Sequence, residues 1–434
     1  MEEWKEYRLG DLINISSGFA YKGEFIGNGE NYLLGMGCVS FRDTFLVSGI
    51  RPYSGDAPDR YLAYSGDIVL ATRQQSDNLP ILGMPAIIPK KYDGHKMIIG
   101  ANLYKVQNNS DFSNEYIYWL MKSPAYVHHI KSCQTGTTVR MITKANIEDF
   151  TFLAPQKETR DKIAQFFWNI ENKIELNRRI NENLEQQAQA LFKSWFVDFE
   201  PFKDGKFVDS ELGMIPEGWK VGTLSDIIKN TISGDWGKDH PQGNHVRKVF
   251  CIRGADIPDI KIGNKGSMPT RFILEKNYQS KVLIDGDVVI EISGGSPTQS
   301  TGRVCRISNR LLEKYNNSII CTNFCKAIKP SSGYSSFLYY IWEMLYNQGV
   351  MFSYENGTTG IKNLDINGFI QKEQIVIPPI SIAADFEKMI KVFYDKIQSN
   401  GMESERLAQL RDTLLPKLMS GELKLSEIET ELDE

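Results

Sequence analysis

The chain has 434 residues, 41% hydrophobic and 24% charged, with 50 basic against 54 acidic side chains and a net charge of −4. This composition is that of a globular protein and excludes disordered and collagen-like chains. No apolar run of about 18 residues occurs, which excludes a membrane-spanning helix. The length suits two to four globular units, and the acidity taken alone argues against a nucleic-acid partner.

The opening MEEWKEYRLGD is polar and acidic and lacks the pattern of a secretory signal. Cys38, Cys133, Cys251, Cys305, Cys321 and Cys325 are scattered without CxxC spacing. They read as buried thiols of a reduced, cytoplasmic protein rather than a disulfide frame or a zinc site.

Residues 1–154 alternate short apolar runs such as GDIVLATR and MPAIIPKKY with Gly, Asp, Asn and Pro, the pattern of strands and turns. NEYIYWLMKSP at 114–124 predicts one helix. Residues 155–200 predict a long helix whose apolar seam runs Ile163, Phe167, Ile170, Ile174, Asn177, Asn181, Leu184, Ala188, Leu191, Trp195 in alternating steps of four and three. A linker at 201–214 leads to a second strand-rich region, 215–377, with its own helix in SSFLYYIWEMLYNQ. Residues 378–423 carry a second seam, Phe386, Ile390, Phe393, Ile397, Asn400, Leu407, Leu414, interrupted at Arg411. An acidic tail, 424–434, closes the chain.

The second half repeats the first. Trp4, Leu9, Asp11 and Ile13 recur as Trp219, Leu224, Asp226 and Ile228, and Gly66-Asp67 recurs as Gly286-Asp287. IIGANLYKV matches IICTNFCKA by letters, pairing Asn102 with Asn323 and Lys105 with Lys326. The tripeptide Gly136-Thr137-Thr138 recurs as Gly357-Thr358-Thr359. From Pro155 onward the offset is a constant 223, so Asn177 matches Asn400. One unit is therefore an α+β module followed by a long helix, used twice. Each helix of about 40 residues would span roughly 60 Å. Paired as an antiparallel coiled coil, the two would relate the modules by a pseudo-two-fold axis, with buried Asn177 and Asn400 fixing register. The alternative is that each helix folds back on its own module. Phe166, Trp168, Phe192 and Phe196 lie off the seam. They await cover from a partner subunit or from the chain's own modules.

Chemistry-bearing motifs are missing. SGDWGKDH at 233–240 lacks the spacing and hydroxyl of a phosphate loop, and VIPPIS lacks the amide and aromatic of an amino-methyltransferase motif. Glu171-Asn172-Lys173 matches a nuclease pattern by letters but reads as a solvated helix face. The chain is expected to be non-catalytic and to bind no metal or cofactor.

Charge divides unevenly: −1 over 1–154, −2 over 155–214, +4 over 215–377 and −5 over 378–434. Phosphate binding needs local positive charge only. In the first module Lys22, Arg73, Gln74 and Gln75 sit in polar loops, and Arg with guanine or Gln with adenine are common major-groove pairings. The loop ISGGSPTQSTGR of the second module offers Ser296, Thr298, Gln299 and Arg303. Each such loop is otherwise a solvated turn.

The duplicated layout resembles the specificity subunit of type I restriction–modification enzymes over essentially the whole chain. The likeness rests on IPEGWKVGTLSDI and its degenerate copy EEWKEYRLGDLI, on ISSGFAYKGEF, SGDIVLATR and DGDVVIEIS. It rests also on TGTT and NGTTGI, LAPQKETRDKIAQFF, LFKSWFVDFEPF and LRDTLLPKLMSGEL. The resemblance implies that each module is a target recognition domain reading one half of an asymmetric bipartite double-stranded DNA site. The helices would set the spacer and dock two methyltransferase subunits, which carry S-adenosylmethionine, with motor–nuclease subunits joining for cleavage. It maps a Gly-Thr-Thr contact loop onto Thr137, Thr138 and Arg140, and onto Thr358, Thr359 and Lys362. A self-contained enzyme and a coiled-coil scaffold without DNA binding are the other classes open to such a chain; the missing motifs argue against the first.

Overall fold

A computed structural model describes residues 4–75, 80–294, 299–358 and 361–428. The chain forms two compact units, Met1–Lys173 with Leu407–Glu434, and Ile174–Arg406.

In the first unit, strands Ile13–Ser17, Leu103–Asn108, Ile68–Ala71 and Pro85–Ile87 lie side by side in that order, every pair antiparallel. A second sheet orders Ile50–Tyr53, Ile26–Leu34, Met97–Ile99 and Leu62–Ala63, with one parallel pair in its middle. The second unit repeats the plan. Ile228–Ser233, Cys325–Pro330, Val288–Glu291 and Val304–Arg306 form one antiparallel sheet, and His245–Ile252 pairs in parallel with Ile319–Cys321 in another.

The sequence GD-V/I-V-hydrophobic has a physical reason in both copies. Gly66 and Gly286 turn the chain at φ +87° and +85°, where a side chain would be strained. The next residue's carboxylate then accepts a backbone N–H three residues back, Asp67 from Tyr64 at 3.0 Å and Asp287 from Ile284 at 2.9 Å. The strand that follows is apolar on both faces because both are covered. Val288 and Ile290 face Phe337 and Trp342, while Val289 joins Ile252 and Cys305 between the sheets.

Register corrects one match made by letters. Ala71 and Glu291 are equivalent, and they pair with Leu103 and Cys325 respectively. The copies are therefore related by 222 here, not 221: Phe324, not Asn323, occupies the place of Asn102, and Ala327 that of Lys105. A slip of one residue reverses every side chain in a strand, so this changes which residues face outward.

The strand that opens each module pairs with the strand that leads into its long helix, Lys5–Arg8 with Thr151–Ala154 and Lys220–Thr223 with Gln374–Ile377. The helices run Lys157–Phe196 and Ile380–Ser420. In the first unit, Phe167 packs on Trp119 at 5.3 Å and Arg160 lies 3.6 Å over the Phe112 ring. Glu171 is not on a solvated face. It keeps 11% of its side-chain surface and pairs with Arg411, the interruption of the second seam, which also donates to the Arg42 carbonyl at 3.3 Å. Lys122 completes this cluster, donating to the carbonyls of Ser40, Phe41 and Asp43 at 2.6, 2.9 and 3.3 Å.

In the second unit the helices pair antiparallel through buried amides. Asn177 donates to Glu403 at 2.8 Å and to the Ser404 hydroxyl at 3.3 Å; Asn400 donates to Asn181 at 2.9 Å. Adding the repeat offset of 223 converts the 177–404 contact into the 181–400 contact with its members exchanged. These helix segments are therefore related by a local two-fold axis, as in an isologous interface. Asn181 also donates to the carbonyls of Ile397 and Ile262, both at 3.1 Å. Gly401 lies so close to Gly263 that a Cβ there would fall 2.4 Å from its carbonyl carbon. The second helix thus packs both on its partner helix and on its own module.

Phe192 and Phe196 correct the expectation of partner contact. They keep 2% and 5% of their surface and pack on Phe337 at 5.7 and 4.9 Å and on Phe386 at 5.8 and 4.9 Å, with Phe196 also 5.9 Å from Trp219. Burial of each stabilises by about 1.5–3 kcal/mol, and the second module supplies the cover. Phe166 and Trp168 stay partly exposed, Trp168 lying edge-on to Tyr118 at 6.4 Å.

Asn181→Ala should lower the unfolding free energy by about 1–3 kcal/mol, the cost of stranding buried carbonyls and an amide. Asn183→Ala, on the exposed face of the same helix, should change it by less than about 0.5 kcal/mol in the same denaturant titration. Burial and the neighbouring Arg411 pull Lys122 down to about 7, with Glu171, Asp43 and Asp412 opposing. Between pH 7 and about 10 the unfolded chain holds a proton on this lysine that the folded chain has released, so stability rises with pH across that window. Lys122→Met should flatten that rise; an unchanged pH profile would remove Lys122 as its source.

Candidate nucleic-acid interface

The end of a strand fixes where the following loop emerges, and the register places three connections of each module at one sheet end. In the first module Ser17, Ala71 and Leu103 stand at that end. The loop after Ala71 is pinned at once: Thr72 donates its backbone N–H and its hydroxyl to the Asn102 carbonyl, at 3.1 and 3.0 Å. Gly18 N–H bonds the Leu103 carbonyl at 2.9 Å, and a Cβ on Gly18 would fall 2.1 Å from the Gly100 carbonyl oxygen. Only glycine lets the loop of residues 18–25 leave so close to the turn at 100–102.

The Gly-Thr-Thr segment is brought to the same place. Arg73–Gln74 pairs with Arg140–Met141, Gln74 opposite Arg140. Ser293–Gly294 pairs with Ile361–Leu364 in the second module, Gly294 opposite Lys362. Arg140 and Lys362 therefore occupy equivalent positions beside equivalent loops. Gly136 turns at φ +90°, where a Cβ would lie 2.2 Å from the Val139 carbonyl oxygen. Gly357 differs, lying within the strand Glu355–Thr358 opposite Lys362.

The sequence-predicted residues separate by environment. Arg73, Gln75, Thr137 and Thr138 are exposed, and Lys22 keeps 75% of its side-chain surface with Glu24 3.8 Å away. Gln74 is buried, its carbonyl oxygen accepting the Leu82 N–H at 3.3 Å, so it shapes the loop rather than facing outward. Arg140 is half-buried. In the second module Gln299 is exposed, whereas Arg303 is engaged with Glu291 through two bonds of 2.7 Å. Lys362 lies 3.2 Å from Glu355, which also accepts from Thr301 N–H and hydroxyl. Two carboxylates thus clamp the base of this loop. Ser296, Thr298 and Thr359 fall outside the described residues, and Thr358 is placed by its backbone alone.

Two features at this end escaped the sequence reading. After Ser233 the chain leaves the sheet as residues 234–244, the counterpart of the loop holding Lys22. There Arg271 stacks 4.1 Å over the Trp236 ring, donates to the Trp236 carbonyl at 2.8 Å and pairs with Asp239. By sequence this stretch reads only as a degenerate phosphate loop, and its position after the repeated Ser-Gly step is the signal that marks it. The second is Phe324, 62% exposed at the turn that opens Cys325–Pro330. Among the described residues no three His, Cys, Asp or Glu side chains are placed to hold a metal ion. Burial pushes the thiols of Cys251 and Cys321 up to about 12, so at neutral pH they are protonated and unreactive.

The two modules thus present different side chains on the same framework. The model of the type I restriction modification DNA specificity domain matches residues 1–186. The chain is 30% identical over 324 residues to the MjaIX type I restriction enzyme specificity subunit of Methanocaldococcus jannaschii, covering 73% of this chain and 70% of that one. It is 25% identical to the HindI specificity subunit of Haemophilus influenzae over 98% of this chain and 100% of that one. It shares the fold of the S subunit of a type I restriction–modification system from M. genitalium, with a TM-score of 0.52 at 15% identity over 96% of both chains. The chain belongs to the family of type I restriction–modification specificity subunits.

Arg303→Ala should cost about 3–5 kcal/mol, because it leaves the buried Glu291 carboxylate without its partner. Arg73→Ala, at an exposed position, should shift stability by no more than about 0.5 kcal/mol. Thermal unfolding of the two variants separates the residue that holds a loop from the one that faces outward.

Proposed function

We propose that each module reads one half of an asymmetric bipartite site on double-stranded DNA, and that the paired helices set the distance between the halves. The chain is a recognition subunit and performs no catalysis itself. The observation that carries this reading is the shared sheet end, where equivalent positions bear different groups: Arg73 and Gln74 in one module, Ser293 and Gly294 in the other. One framework with two sets of side chains suits two different half-sites.

Within that reading Lys22, Thr137 and Thr138 suit phosphate contact, and Arg73 and Gln75 suit base edges. Arg140 and Lys362 flank their loops, Gln299 and the stretch holding Ser296 and Thr298 serve the second half-site, and Gln74 and Arg303 hold loops in shape. Two methyltransferase subunits dock on the helical region, Phe166 and Trp168 being the remaining candidates for that contact. They carry S-adenosylmethionine; this chain carries none. Motor–nuclease subunits join for cleavage, and the complex works in the cytoplasm, where the DNA is.

Co-expression with the methyltransferase subunit should give a stable complex that methylates adenines in one split motif across the host genome. A complex that forms but leaves no split motif would contradict the proposal. Lys22→Ala should weaken binding on all sequences alike, whereas Arg73→Ala should relax one base position by about 1–3 kcal/mol. Inserting four residues into both long helices at matching positions should change the spacer or abolish methylation while half-site preference survives in whatever methylation remains.

A further inference from the structure

The turn that opens the second strand of each module's all-antiparallel four-stranded sheet has a role no sequence motif marks. Its backbone is fixed. In the second module Phe324 accepts the Ile292 N–H at 2.9 Å, Thr322 N–H bonds the Ile252 carbonyl at 2.9 Å, and Cys325 N–H bonds Thr322 at 2.9 Å. Gly234 presses on the same turn, since a Cβ there would lie 2.0 Å from the Thr322 carbonyl oxygen. On this fixed turn Phe324 keeps 62% of its surface, between the points where the chain leaves the sheet after Ser233 and after Glu291. The equivalent turn of the first module carries Asn102, whose carbonyl takes the matching bond from Thr72 N–H at 3.1 Å.

A large apolar ring held out by a rigid backbone, in the middle of a polar recognition end, gains nothing from water. It has no donor or acceptor, so among the groups on the major-groove edge it can favour only the thymine methyl. An amide on the same turn reads by hydrogen bonds and suits adenine.

We infer that this turn is a base-reading element in both modules, with Phe324 selecting a thymine methyl in one half-site and Asn102 selecting by its amide in the other. The inference rests on the reading that the modules recognise DNA, and it adds the residues and the base chemistry.

The test uses the full chain in complex with its methyltransferase subunit, the Phe324→Ala and Asn102→Ala variants, and duplexes carrying the motif found for the unaltered complex. Deoxyuridine replaces each thymine of the half-sites in turn, removing only the methyl group. Phe324→Ala should keep its melting temperature, relax one thymine position in one half-site and leave the other half-site intact. Deoxyuridine at that position should slow methylation by the unaltered complex roughly tenfold and by Phe324→Ala less than about twofold. Asn102→Ala should relax a position in the opposite half-site. A motif unchanged in Phe324→Ala, a loss shared equally by all sequences, or indifference to deoxyuridine would overturn the inference while DNA recognition stood. The absence of any split motif in the unaltered complex would overturn the reading beneath it as well.

Discussion

The amides of Asn177, Asn181 and Asn400 lie buried where the two long helices cross, bonded to one another's helix and to the Ile262 carbonyl of the second module. A buried amide must find its partners or forfeit about 1–3 kcal/mol, and a shift of the helices by one residue would strand all three. Register between the helices is therefore set by polar geometry, where an apolar seam of leucines would tolerate sliding. Within the second unit the strand pair that leads into the second helix, the aromatic packing of Phe192 and Phe196, and the loops at the sheet end of the module inherit that register. If the paired helices set the distance between half-sites, as proposed, a fixed register matters more than the last increment of stability.

A charged exception to the apolar seam serves the first unit in the same way. Arg411 breaks the apolar seam by sequence, yet it meets Glu171 and the Arg42 carbonyl, and Lys122 gathers three further carbonyls of the neighbouring loop. A buried pair of this kind adds little net stability but penalises any arrangement in which either member is left alone. Seam residues that looked like flaws are the ones that specify position.

Much of this was legible from sequence because periodicity and repetition are one-dimensional signals. The constant offset of 223 across the helices matched Asn177 with Asn400 as equivalent positions, and Gly66-Asp67 with Gly286-Asp287 marked equivalent turns. What the sequence concealed was pairing in three dimensions. Letters aligned Asn102 with Asn323, whereas backbone register aligns it with Phe324, and nothing in one strand's own pattern reveals a slip of one. Charge was equally ambiguous: Arg303 and Arg73 read alike as loop arginines, but Glu291, twelve residues away from the first, engages it from the strand before the loop. Phe192 and Phe196 lie off the seam and by sequence lack cover, because the module that covers them arrives only later in the chain.

The central claim is that two modules on one framework read independently, each through its own sheet-end loops. It is tested most directly by replacing residues 215–377 with the corresponding module of a relative and sequencing the methylome of the host. The account predicts that one half of the split motif changes while the other half and the spacer between them stay as they were. A change in both halves, or in the spacer alone, would contradict it.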